Sequence, residues 1–179
     1  MKKKDEGFKE FDKSFITQDW SERAIKRAER QQSRGKGDPQ LFNYKMRDIT
    51  ILDDGSIIGS MEQFYVQIRS NTDTRTGTVS QSYYYYYNDI IVFKVDPEGE
   101  FAWVKKIRNS SYASFIDKGK VYFIFNDHVR NYDANGNFLD PEHLFTANYT
   151  RKRNTVALAE IDLSTGETIR SSFFGRGEI

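Results

Sequence analysis

The sequence predicts a mainly β protein, made of two copies of a four-stranded antiparallel unit behind an N-terminal α-helix. Three observations predict it. Aromatic residues are abundant, at 11 Tyr, 14 Phe and 2 Trp, and flat rings pack well on a pleated surface. Four strand–turn–strand segments follow one another, each bent at a turn that ends in Gly. Their landmarks recur in one order at nearly one separation: Gly55 and Gly119 lie 64 residues apart (119 − 55), Asp96 and Asp162 lie 66 apart (162 − 96).

Residues 19–35, "DWSERAIKRAERQQSRG", predict the helix. Asp19 and Glu22 form a capping box, and Gly35 stands where a helix stops. Trp20, Ala24, Ile25 and Ala28 make a narrow apolar stripe. "GKGDPQ" is then a linker. From Met46 the period changes to that of strands. "RDITILDDGSIIGSMEQFYVQIR" is two strands around residues 53–55, and "NDIIVFKVDPEGEFAWVKKI" two around residues 97–99. "YASFIDKGKVYFIFND" turns at residues 117–119 and "NTVALAEIDLSTGETIRSSFF" at residues 164–166. Each unit carries a polar insertion between its second and third strands, residues 69–83 in the first and 130–153 in the second. The chain thus divides into helix and linker (residues 1–44), a first repeat (45–108) and a second (109–179).

Repeated four-stranded meanders with Asp/Gly turns are the sequence pattern of propeller blades, usually ~40–50 residues each, and the insertions account for the excess length here. Closing a propeller takes roughly four to eight blades. Two alone leave sheet faces uncovered, which predicts further blades, self-association, a protein partner, or a cap made by the helix. The strings "EQFYV", "NDIIV", "FAWVKKI" and "VYFIFND" resemble those of large, uncharacterised propeller-like proteins of Bacteroidetes-type bacteria. The resemblance covers about residue 45 onward and implies blades, an exported protein and a fragment of a longer chain. It brings no assigned activity and no catalytic residues.

Tyr83, Tyr84, Tyr85, Tyr86 and Tyr87 run directly into "NDIIVFKV" and are expected on a strand, with Tyr83, Tyr85 and Tyr87 on one face and Tyr84 and Tyr86 on the other. Exposed rings in a row are a ligand surface, for a sugar or a base; the bland alternative is packing between blades. Arg23, Lys26, Arg27, Arg30 and Arg34 give the helix a basic face. A solvated face explains it more cheaply than nucleic-acid binding, because acidic residues interleave and no aromatic accompanies the charges. Asp133, Asn135, Asn137 and Asp140 offer oxygen donors to Ca²⁺, but the spacing is not that of an EF-hand and an Asn-Gly turn accounts for them. Asp127-His128 is an acid/base candidate, and His143 is the second histidine.

Charge nearly cancels, at 27 basic against 26 acidic residues, so no global field draws the chain to DNA or an anionic membrane. It has no cysteine, which removes disulfides, thiolate metal sites and a Cys nucleophile. No apolar run approaches the ~20 residues of a membrane span. The basic start has no apolar stretch behind it, so it is not read as a secretory signal. A periplasmic or extracellular location follows if the chain is part of an exported protein. No cofactor motif is present. The expected function is non-catalytic binding or scaffolding. A propeller enzyme with most of its site on other blades is the second reading.

Overall fold

The computed structural model describes residues 43–108, 110–139 and 153–174, together with residues 26, 29, 30, 33, 34, 144, 145 and 147. The chain divides into two units, residues 1–42 and 43–179. In the first, Lys26, Glu29 and Arg30 are helical, and the Ser33 amide donates to the Glu29 carbonyl at 2.9 Å. Asp19, Glu22 and Gly35, which would bound the predicted helix, lie outside the described residues.

The second unit is β throughout. Strands β1 (Tyr44–Ile51), β2 (Ile57–Thr72), β3 (Val79–Val95) and β4 (Phe101–Ile107) form one antiparallel meander. Strands β5 (Ser110–Asp117), β6 (Lys120–His128), β7 (Asn154–Asp162) and β8 (Thr168–Ser172) form a second in the same order. Both first strands carry a bulge at their paired start, between Met46 and Asp48 and between Ser110 and Tyr112. Among the described residues no helix is long and apolar enough to cross a membrane.

Asp caps the turns. Asp54 accepts the Ser56 amide at 2.8 Å, Asp96 that of Glu100 at 2.7 Å, and Asp162 those of Ser164 at 2.8 Å and Thr165 at 2.9 Å. Such side chains mimic a backbone turn and satisfy amides that the ladder leaves over. Lys118 and Gly119 are both left-handed, with φ of 45° and 75°, as a two-residue hairpin requires.

The two sheets meet face to face. Ile58, Ile90, Val92, Trp103 and Ile107 of the first pack with Val121, Phe123, Phe125, Ala157, Ala159 and Ile161 of the second. Trp103 anchors the contact: its indole N–H donates to the Leu163 carbonyl at 3.2 Å. A Cβ at Gly166 would lie 2.8 Å from the Trp103 ring, so only glycine lets the ring seat there.

The faces used are not equivalent. Asp96 corresponds to Asp162, each the cap of a third-to-fourth-strand turn. Ile90 and Val92, inward in the first sheet, therefore correspond to Val156 and Leu158, which alternation turns outward in the second. The inward Ala157, Ala159 and Ile161 correspond to Ile91, Phe93 and Val95 on the far face of the first sheet. Pairing carries the same offset to the second strands, since Ile57 faces Val95 and Val121 faces Ile161. The sheets are thus packed head to tail, one face of the unit against the other face of its repeat.

One expectation needs correction. Residues 69–83 are not an insertion loop: β2 and β3 run on through them, and only residues 73–78 turn. The polar Arg69 and Asn71 at the start of that insertion are alternate positions of a strand.

Candidate functional site

β1 ends opposite Gln63, and β4 ends opposite Ile90. Beyond those rungs, among the described residues, β2 and β3 pair only with each other, through nine rungs from Phe64–Tyr87 to Thr72–Val79. The result is a two-stranded ribbon about 30 Å long at ~3.4 Å per residue, with no third strand on either edge among the described residues. Register places Phe64, Val66, Ile68, Tyr83, Tyr85 and Tyr87 on one face. Tyr83 and Tyr85 are 53% and 54% exposed, and Val66, Ile68 and Val79 are exposed beside them. On the other face Tyr65 and Tyr86 stack at 4.8 Å and 12°, the Arg69 guanidinium lies 4.8 Å over Tyr84, and the Tyr86 hydroxyl donates to Gln67 at 3.2 Å. One face is knitted together by its own rings; the other pairs Phe64 with Tyr87 at its base, at 4.9 Å, and is exposed at Val66, Ile68, Val79, Tyr83 and Tyr85 beyond it.

At the base of the second insertion sits a buried polar cluster. Asp127, Asn131 and Tyr132 are almost wholly inaccessible. Asp127 Oδ2 accepts from the Tyr132 hydroxyl at 2.6 Å and from the Arg170 guanidinium, whose side chain is itself 9% exposed. Asp127 Oδ1 accepts from Asn131 Nδ2 at 2.8 Å. Arg170 lies between the rings of Phe125 and Phe138, at 5.0 and 4.6 Å. The Asn131 amide exchanges two bonds of 2.9 Å with the Phe145 backbone, tying the insertion to the sheet. Burial pushes the Tyr132 hydroxyl pKa up, so it remains a donor to the carboxylate.

A groove of about 480 Å³ runs between β1 and β5. Its polar wall is Arg47, Asp48, Ser60 and Ser114, backed by Glu62 and Tyr112. Glu62 accepts from Arg47 at 2.7 Å and from the Ser111 amide at 3.0 Å. Asp48 accepts from Ser60 at 3.3 Å and Ser114 at 3.0 Å. The Tyr112 hydroxyl meets Ser60 at 2.7 Å. Burial, then the nearby Asp48 and Glu62 carboxylates, push its pKa up to about 12. These bonds hold the first sheet to the second, and each carboxylate is already engaged.

The remaining predicted residues separate. Lys26, Arg30 and Arg34 are exposed; Arg23 and Arg27 lie outside the described residues. Asp133 accepts the amides of Asn135 and Asn137, each at 2.8 Å, and the Asn137 side chain at 3.0 Å. Its oxygens are thus turned onto the loop around Gly136, whose φ is 81°. Asp140 and His143 lie outside the described residues. Among those described, no three His, Cys, Asp or Glu side chains gather to hold a metal ion. His128 accepts the Arg130 amide through Nδ1 at 3.1 Å and stacks on Phe145 at 5.3 Å. Asp127 bonds only its backbone amide, at 2.7 Å, so the pair is not an acid/base dyad.

Sequence reading missed Arg170, Tyr132 and the Arg47–Glu62 pair. The available signal was alternation in "TIRSS", which puts Arg170 on the face of Thr168 and Ser172. No family model, no curated protein and no solved structure matches the chain.

Proposed function

We propose that the chain is a non-catalytic binding or scaffolding segment of a propeller-like protein: two blades with a partner-binding ribbon on the rim. The head-to-tail packing of equivalent sheets carries this reading. Blades around an axis meet through unlike faces, whereas a two-fold sandwich would meet through like ones. The bound partner is a protein. Exposed Val66, Ile68 and Val79 interleave with Tyr83 and Tyr85, a mixture suited to a protein surface, where Tyr is enriched, and the free edges invite strand addition. The enzyme reading loses support because the groove carboxylates are taken up by Arg47, Ser60, Ser111 and Ser114.

The test is selection of a random-peptide phage library on the immobilised chain, repeated with Tyr83→Ser/Tyr85→Ser. Extended, alternating apolar peptides that the variant no longer captures are the expected outcome. Saturable binding of soluble xylan or laminarin that is lost in the variant would replace the protein partner with a sugar. Binding of a single-stranded oligonucleotide that weakens steeply with salt would move the site to the basic segment. Turnover of aryl glycosides or esters by the purified chain would overturn the non-catalytic reading.

A further inference from the structure

Head-to-tail packing leaves exposed apolar residues on the outward face of the second sheet and at one end of the far face of the first. The outward face of the second sheet carries the counterparts of the first sheet's packed residues: Val156 for Ile90, Leu158 for Val92, Ile169 for Trp103 and Tyr122 for Ile58. It is not covered, with Phe115 48%, Ile169 57% and Val156 38% exposed. The far face of the first sheet carries Ile57, Gly59, Met61, Ile91, Phe93 and Val95, counterparts of Val121, Phe123, Phe125, Ala157, Ala159 and Ile161, through which the second sheet packs on the first sheet's other face. The face is exposed at its Ile49, Ile51 and Phe101 end, whereas Ile91 at its centre is fully buried, so the end beside Gly99 is the part left open. The turns correspond as well. Gly166 is filled by Trp103, while its counterpart Gly99 has φ of 95° and nothing within 4 Å of where a Cβ would stand.

We infer that a second copy of this chain docks here, the outward face of one second sheet against the far face of the next first sheet, with Ile169 seated over Gly99 as Trp103 is over Gly166. The contact repeats one the molecule already makes within itself. It is heterologous, so it closes a ring or extends into a chain of copies according to the rotation between blades. Both sheets must be blades for this to hold, so the inference rests on the reading above.

Two single-face variants test it. Ile169→Glu spoils only the donor face and Ile51→Glu only the acceptor; both residues are exposed, at 57% and 72%, so folding is not at stake. Sedimentation velocity should give the parent a concentration-dependent mass above 21.0 kDa and each variant the monomer mass. Mixing the two variants leaves one intact interface and should give about 42 kDa, twice 21.0. A monomeric parent would overturn the docking, as would an oligomer that survives both variants and is lost in Tyr83→Ser/Tyr85→Ser. Failure of the blade reading is separately visible in cross-linking between positions 48 and 114 within one chain: a positive link in a monomeric protein leaves the blades standing and removes only the docking.

Discussion

Arg170 shows how single residues hold this fold. Its charge is buried against Asp127 and sandwiched between two rings, and removing one partner of such a pair typically costs about 3–5 kcal/mol. Arg170→Ala should lose that much in urea unfolding, whereas Arg170→Met with Asp127→Leu should recover part of it; equal losses would show that the charges themselves are not what matters. Glycine at the two equivalent turns gives a second contrast. Gly99→Ala meets only the backbone penalty of about 1–2 kcal/mol. Gly166→Ala meets that and a further ~1–3 kcal/mol of overpacking against Trp103. Equal effects in thermal unfolding would deny the Trp103 anchor. Titration gives a third. Bonds from Ser164 and Thr165 hold the Asp162 pKa down to about 2, and Asp54, Asp73 and Asp133 are lowered likewise by their turn donors. A folded pKa below the unfolded ~3.9 gives stability that is present above that value and lost as pH falls toward about 2. Burial, then the Arg130 charge, lower the His128 pKa, so the fold keeps it neutral and loses stability as pH drops below ~6.5. Urea midpoints should therefore fall in two stages, and His128→Gln should flatten the upper one.

At the level of elements the ribbon stands apart from the core. The core side chains lie on strands below its first rung. Excising residues 66–85 and closing the hairpin with Asn-Gly should shift Tm by no more than the ~2–4 °C that 1 kcal/mol represents in a domain of this size. A larger fall would mean that the ribbon packs on the body. Its strands were legible at the tyrosine run, because Tyr83 to Tyr87 lead into "NDIIVFKV" without a turn residue. They were not legible from Arg69 to Asn71, because a strand solvated on one face and a polar loop have similar compositions. The Asp133 turn was legible from Asn-Gly. The Asp127–Arg170 pair was not, since the two stand 43 positions apart with no local sign of contact.

For the molecule as a whole, the repeat was visible in the spacing of Gly55 with Gly119 and Asp96 with Asp162. Those landmarks fix the strand order of each sheet, and both sheets have that order. The faces on which the sheets meet depend on register, which two-residue periodicity leaves undetermined when both faces are apolar, as in Ile90–Val95. The head-to-tail contact is the central claim, and a cysteine-free chain lets it be tested directly. Cysteines at positions 48 and 114, where Asp48 and Ser114 lie 3.0 Å apart, should be joined within one chain by a short bis-alkylating reagent, with the product at 21.0 kDa. Cysteines at positions 49 and 115, one residue along the same strands and turned outward, should give no intrachain link. A link at 49 and 115 with none at 48 and 114 would contradict the packing and, with it, the blade reading.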